Sequence, residues 1–136
     1  MQDRPTHHEL LAALVRFLDE AVVAESTGAR RFHARVATNA LRILQRQLER
    51  EYDDLVREWA GLDALLGPAE RPTDPDALRE ALAARNEELC ARIRRGDADE
   101  GPFRQVVLAH VRETVRAKLL VNNPSWLEGA GRRPRS

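Results

Sequence analysis

Thr6-His7-His8-Glu9-Leu10-Leu11-Ala12-Ala13-Leu14-Val15-Arg16-Phe17-Leu18 carries both the start signal and the period of an α-helix. Threonine followed three places later by glutamate makes a capping box. The Thr6 hydroxyl accepts from the Glu9 amide, and the Glu9 carboxylate accepts from the Thr6 amide. Leu10, Leu11, Leu14, Phe17 and Leu18, then Ala21 and Val22, recur at helical steps and so share one side of a helix. Gly28 is the expected stop.

The same signals recur down the chain. A second helix is predicted from about Arg30 toward Arg50, with Phe32, Val36, Ala40, Ile43, Leu44 and Leu48 as its stripe. A third covers about Tyr52 to Leu66, with Leu55, Val56, Trp59, Leu62 and Leu66 on one side. No glycine or proline separates these two. A single helix of their combined length would span roughly 55 Å, too long for one compact domain, so a bend or break is expected between Glu49 and Asp54. Gly67-Pro68 ends the third helix. Asp74-Pro75 reads as an N-cap followed by proline at the first helical position. The fourth helix then runs to about Arg95 with Leu78, Leu82, Leu89, Cys90 and Ile93 inward. Gly101-Pro102 opens a fifth, with Phe103, Val107, Val111, Val115 and Leu119 on its apolar face, and Asn122-Asn123-Pro124 stops it. Trp126 is expected to tuck back onto the bundle. There is no strand-like alternation and no internal repeat. The fold class is all-α, an antiparallel bundle of four to five helices joined by short loops. Residues 1–128 are read as a single domain and 129–136 as a disordered basic tail.

The chain's 136 residues suffice for one core without staples. Its 22 Lys+Arg balance 22 Asp+Glu, which argues against bulk attraction to nucleic acid or to an anionic membrane. Lys118 is the only lysine, so abundant arginine reflects a compositional bias as much as anion binding. The tail Arg132-Arg133-Pro134-Arg135 offers charge without a reading helix, so no specific nucleic-acid recognition is expected. The single cysteine, Cys90, makes no intramolecular disulfide, and no apolar run approaches the ~20 residues of a membrane span. These features predict a cytoplasmic protein.

Polar residues at apolar positions are the candidate functional groups. On helical wheels His33 and Gln47 fall inside the arc of the second helix, Asn86 inside that of the fourth, and Lys118 among the valines of the fifth. A buried polar group without a partner costs ~1–3 kcal/mol, so these residues should pair with one another, with backbone or with a ligand. Two readings stay open. One is a polar pocket lined by His33, Asn86 and Lys118. The other is a structural network, with His33 and Asn86 bonded to each other and Lys118 snorkelling near a helix end. Arg31, Arg35, Arg42 and Arg46 lie along one side of the second helix beside Asn39. They suit either bidentate capture of phosphates and carboxylates or a solvated face. His7, His8, His33 and His110 include no Glu-x-x-His pair, so no metal site is expected. Cys90 has no nucleophile setting, and no phosphate loop, Gly-x-Ser-x-Gly or zinc spacing occurs. No catalytic residue and no cofactor are assigned.

Three segments together carry a family resemblance: Arg31-Phe32-His33-Ala34-Arg35-Val36-Ala37-Thr38-Asn39-Ala40-Leu41, Asn86-Glu87-Glu88-Leu89-Cys90-Ala91-Arg92-Ile93, and Lys118-Leu119-Leu120-Val121-Asn122-Asn123-Pro124. With Arg4-Pro5 ahead of an apolar helix, the chain up to Leu127 resembles an uncharacterised bacterial family of short helical proteins, a domain of unknown function. The resemblance implies genes neighbouring those of phosphotransferase-like kinases and acyl-CoA dehydrogenases, and hence an accessory role near acyl-CoA metabolism. The acidic segment Glu51-Tyr52-Asp53-Asp54 departs from family patterns that place a glycine near there.

The expected function is a non-enzymatic accessory or protein-interaction module. It would present a helix face to a phosphotransferase-like or acyl-CoA dehydrogenase-like enzyme, or to a second copy of itself as a homo-oligomer. The alternative is a binder of an anionic phosphate- or CoA-type ligand held by His33, Arg35, Asn39, Asn86 and Lys118.

Overall fold

A computed structural model describes residues 3–129, and among them every regular element is a helix. Helix α1 spans His7–Phe17 and continues through a π-helical stretch, Leu18–Val23. Helix α2 spans Gly28–Leu66, α3 Pro75–Arg94, α4 Gly101–Asn122 and α5 Ser125–Gly129. The all-α reading holds. None of these helices is long and apolar enough to cross a membrane. The tail expected to be disordered lies, apart from Gly129, outside the described residues.

The start and stop signals act as expected. Thr6 Oγ1 accepts from the Glu9 amide at 3.2 Å, and the Thr6 amide donates to Glu9 Oε2 at 2.7 Å. Asp74 Oδ1 accepts from the Ala77 amide at 2.9 Å, with Pro75 at the first helical position. Gly67, at φ +93°, ends α2 in the left-handed region that favours glycine. Asn123 follows the last residue of α4. Gly28 behaves differently. Instead of stopping α1, it begins α2 at φ +55°, after the connection Ser26-Thr27.

The expected break between Glu49 and Asp54 does not occur. Helix α2 is continuous over 39 residues. No proline or glycine interrupts it there, and Asp54 takes Arg50 at 3.5 Å (i,i+4) and Arg57 at 2.7 Å (i,i+3) across the segment. The length argument had assumed one compact body, whereas the chain forms two compact units that divide at Glu49/Arg50, inside α2.

The first unit pairs α1 with the N-terminal part of α2. Arg42 is bonded to Asp19, and His8 Nδ1 lies 3.7 Å from Glu49 Oε1. Rising numbers on α1 therefore meet falling numbers on α2, an antiparallel hairpin. Its interior is small: Leu11, Ser26, Ala34 and Thr38 are buried, the last donating its hydroxyl to the Ala34 carbonyl at 2.9 Å. Much of the apolar stripe expected to be covered is open. Leu10, Leu14, Phe17, Phe32, Val36, Leu44 and Leu48 are all exposed. A hairpin can cover only one side of each helix, and both helices are apolar on two.

The second unit holds a core cluster of Trp59, Leu62, Leu65, Leu78, Leu82, Leu89 and Val107. Three polar links define how α3 lies on α2: Arg79 Nε to Glu51 at 3.1 Å, Asn86 Nδ2 to Glu58 at 2.8 Å, and Arg92 Nη1 to the Leu65 carbonyl at 2.9 Å. The numbers climb together, so α3 runs in the same direction as this part of α2. Glu51 to Leu66 rises about 22 Å, and the chain from Gly67 to Asp74 reaches about 26 Å when extended, enough to return to the start. The antiparallel neighbour is α4. Its first turn meets the last turn of α3, where Arg92 stacks 4.3 Å from the Phe103 ring, and His110 further along reaches back to Gly61. Cys90, Ile93, Val111 and Val115, expected inward, are exposed because two neighbours leave an outer side on α3 and on α4. Trp126 does not tuck back: it is 68% exposed.

Candidate functional site

The most developed polar constellation lies in the second unit, where α2, α3 and α4 each contribute one residue. Glu58 and Gly61 sit one turn apart on α2. Asn86 on α3 donates to Glu58 Oε1 at 2.8 Å. His110 on α4 lies against Gly61 so closely that a Cβ there would overlap the imidazole at Nδ1. A glycine inside a helix costs about 1 kcal/mol relative to alanine, and here it admits a ring. All three polar residues are half-buried. Burial pushes the His110 pKa below its ordinary value, and the Glu58 carboxylate pulls weakly the other way. The imidazole is therefore mainly neutral at pH 7, one nitrogen a donor and the other an acceptor. A neutral imidazole beside a carboxylate and an amide can hold or pass a proton. It can equally fix three helices in register.

Next to it stands an arginine clamp. Arg85 donates from Nη1 to Asp63 Oδ1 at 2.5 Å and from Nη2 to the Gly67 carbonyl at 2.7 Å, with its guanidinium 4.5 Å from the Trp59 ring centroid. Its side chain is only 11% exposed. The Trp59 Nε1–H is buried without a hydrogen-bond partner among the described residues.

The five residues selected from the sequence occupy different settings. His33, Arg35 and Asn39 are exposed in the first unit, where His33 makes an edge contact with Phe32 at 5.6 Å. Lys118 is exposed and Asn86 half-buried in the second unit. Asn86 is bonded to Glu58, so the His33–Asn86 bond considered from the wheels is not the one formed. A surface depression lined by Glu70, Arg71, Pro72 and Thr73 includes none of the five. Among the described residues no group of three or more His, Cys, Asp or Glu is placed to hold a metal ion.

Sequence reasoning singled out Asn86 but missed Glu58, Gly61 and His110. Two signals were available. Glu51 and Glu58 on α2, and Arg79 and Asn86 on α3, are each seven residues apart, the spacing of a seam between helices lying side by side. Gly61 is an isolated glycine inside an apolar-periodic helix, which calls for a packing reason.

Comparison with curated proteins and with solved structures found no match. One family model matches, a domain of unknown function (DUF6285), over residues 24–126. The matched span takes in α2, α3 and α4 and leaves α1 outside. On that match the chain belongs to the DUF6285 family.

Proposed function

We propose that this chain is a non-enzymatic accessory module of the bacterial cytoplasm that works by presenting helix surface to a protein partner. The supporting observation is the first unit. It buries four residues, while Leu14, Phe17, Phe32 and Val36 are 50%, 59%, 63% and 53% exposed. Exposed apolar side chains gathered on one small element mark interaction surfaces. The partner class, a phosphotransferase-like or acyl-CoA dehydrogenase-like enzyme, comes from the family resemblance. The test is titration of the purified chain into a phosphotransferase-like kinase and into an acyl-CoA dehydrogenase from the same genome, read by calorimetry. Binding that Phe32→Glu or Val36→Glu weakens at least tenfold supports the reading. Absence of binding to both classes removes the enzyme partner.

A second reading is supported by the cations. Arg31, Arg35 and Lys118 are exposed and form no ion pair among the described residues. In this reading an anionic phosphate- or CoA-type ligand is held within one unit, by His33, Arg35 and Asn39 in the first or by Asn86 and Lys118 in the second. A ligand at 100 times its Kd stabilises by about 2.7 kcal/mol, so a thermal-shift panel of phosphate, nucleotide and CoA compounds decides it. Absence of any shift removes it.

A further inference from the structure

Ion pairing is uneven in the second unit. Arg50, Arg57, Arg79, Arg85, Arg92 and Arg95 each meet a carboxylate. The four cations of α4, Arg104, Arg112, Arg116 and Lys118, are all exposed and meet none among the described residues. Between these cations and the neighbouring carboxylates runs an apolar stripe. Leu108, Val111 and Val115, at i, i+3 and i+7, are 41%, 42% and 49% exposed. Arg104 leads the stripe one turn ahead of Leu108, and Lys118 closes it three residues past Val115. Arg112 and Arg116, one turn apart, line one edge. The other edge borders the packed side, where Val107 is buried. The helix holds one carboxylate, Glu113, which lies nearly opposite Val115 at about 100° per residue and so leaves the stripe uniformly cationic at its margins.

We propose that this side of α4 receives an acidic amphipathic helix of a protein partner. The proposal deepens the interaction-module reading and rests on it, but on a surface distinct from that of Phe32 and Val36. Charge selects the occupant: cations stand at both ends of the stripe and along one edge, so the complement carries carboxylates at both ends and along one edge. Two arginines one turn apart grip two glutamates one turn apart, each guanidinium bidentate to its carboxylate. Shape agrees. The apolar anchors recur at the i, i+3 and i+7 steps by which one helix seats on another. Leu108 to Val115 rises about 11 Å and Arg104 to Lys118 about 21 Å, the length of a four-turn helix. The same placement disfavours a bilayer. Arg104 falls in line with Val111 and Val115, so laying the stripe into lipid would carry a guanidinium into hydrocarbon. No aromatic side chain stands on the stripe to stack a nucleic-acid base.

Calorimetric titration of the full chain with a synthetic helical peptide tests the proposal. The peptide is four to five turns long, with leucine at i, i+3 and i+7 and glutamate at both ends and along one edge. The expected Kd is on the order of 10–100 μM, at least tenfold weaker when salt is raised from about 0.05 to 0.3 M. The same peptide with glutamine for glutamate should bind at least tenfold more weakly, and so should an isomer with its leucines scattered around the helix. Arg112→Gln with Arg116→Gln should weaken the acidic peptide at least tenfold while far-UV dichroism and the urea midpoint stay at wild type. Should that variant lose helix, the glutamine and scattered peptides on the wild-type chain carry the test. Arg31→Gln with Arg35→Gln, exposed arginines of the first unit, should leave the affinity unchanged. Absence of binding overturns the proposal, as does equal binding of the glutamine or scattered peptide, or an equal loss in the Arg31 and Arg35 variant. Anionic vesicles of phosphatidylserine and phosphatidylcholine that bind through Arg112 and Arg116 while the peptide does not would replace the helix with a bilayer. Phe32→Glu separates the two surfaces: it should leave the peptide affinity intact, so a failure on α4 leaves the enzyme titration standing, and the converse.

Discussion

Arg92 donates from Nη1 to the main-chain carbonyl of Leu65 at 2.9 Å, in the last turn of α2. The last carbonyls of a helix have no intrahelical partner and carry the negative end of its dipole. Because α3 runs in the same direction as α2, both helices end near one another and their negative poles gather on one side. Arg85, seven residues before Arg92, serves the Gly67 carbonyl in the same way. Parallel packing and paired arginines are thus two parts of one arrangement: the cations offset what the aligned dipoles would cost.

Arg85→Ala should therefore destabilise the second unit by about 2–4 kcal/mol. It removes charge-assisted bonds worth about 1.5–3 kcal/mol each and leaves Asp63, 31% exposed, without its strongest partner. Arg85→Lys should recover less than half, since an ammonium cannot reach the carboxylate and the carbonyl in one planar fork while stacking on Trp59. Urea midpoints of the two variants, at unchanged m, measure both effects.

Gly61→Ala tests the close approach of α4. Alanine gains about 1 kcal/mol of helix propensity, but its Cβ occupies the position of the His110 ring. Displacing a half-buried ring costs about 1–3 kcal/mol, so the net effect should be destabilising by up to 2 kcal/mol. Combined with His110→Ala the same substitution should turn stabilising. The sign reversal in a double-mutant cycle is the signature, with a coupling of at least 1 kcal/mol.

Much of the molecule was legible from local chemistry. Thr6, Asp74-Pro75, Gly67 and Asn123 mark helix ends because a cap is decided within four residues. Leu62, Leu78, Leu82, Leu89 and Val107 are buried as their periodicity requires. What the wheels could not give was which partner covers a face. A wheel gives direction and no neighbour, so the stripe of Leu10, Leu14, Phe32 and Val36 read as core. The unbroken α2 was missed for a related reason: its local signals allowed continuity, and an assumption about overall compactness overrode them. Glu58 looked like an ordinary surface glutamate, because its role depends on Asn86 and His110 arriving from helices 28 and 52 positions further along.

Acid should weaken the fold through His110. Its folded pKa lies below the ordinary 6.5, chiefly because burial penalises the imidazolium. The unfolded chain then binds the proton more readily, and stability rises with pH wherever that holds. The contribution is fully present above about 6.5 and is lost as pH falls from there through the folded pKa. Urea midpoints measured from pH 7.5 down to 5.5 should fall for the wild type and flatten over that interval in His110→Gln. A midpoint for the His110 ring above 6.5 by NMR titration would contradict the assignment.

Asn86 decides between the structural and the ligand readings of the polar residues. Its side chain donates to a carboxylate, and that carboxylate is half-buried, so Asn86→Leu takes a donor from Glu58 and surrounds it with hydrocarbon. The expected loss is about 1–3 kcal/mol, and Glu58→Leu in the same chain should return most of it, since two apolar residues can replace a bonded polar pair at little cost. A residue kept for an anionic ligand behaves otherwise: Asn86→Leu would leave the unliganded melting point within about 0.5 kcal/mol of wild type and abolish the thermal shift caused by the ligand. The two outcomes differ in which measurement moves. A carboxylate already occupying the Asn86 amide repels the phosphate that the ligand reading needs, so the loss should appear in the unliganded protein and vanish with Glu58.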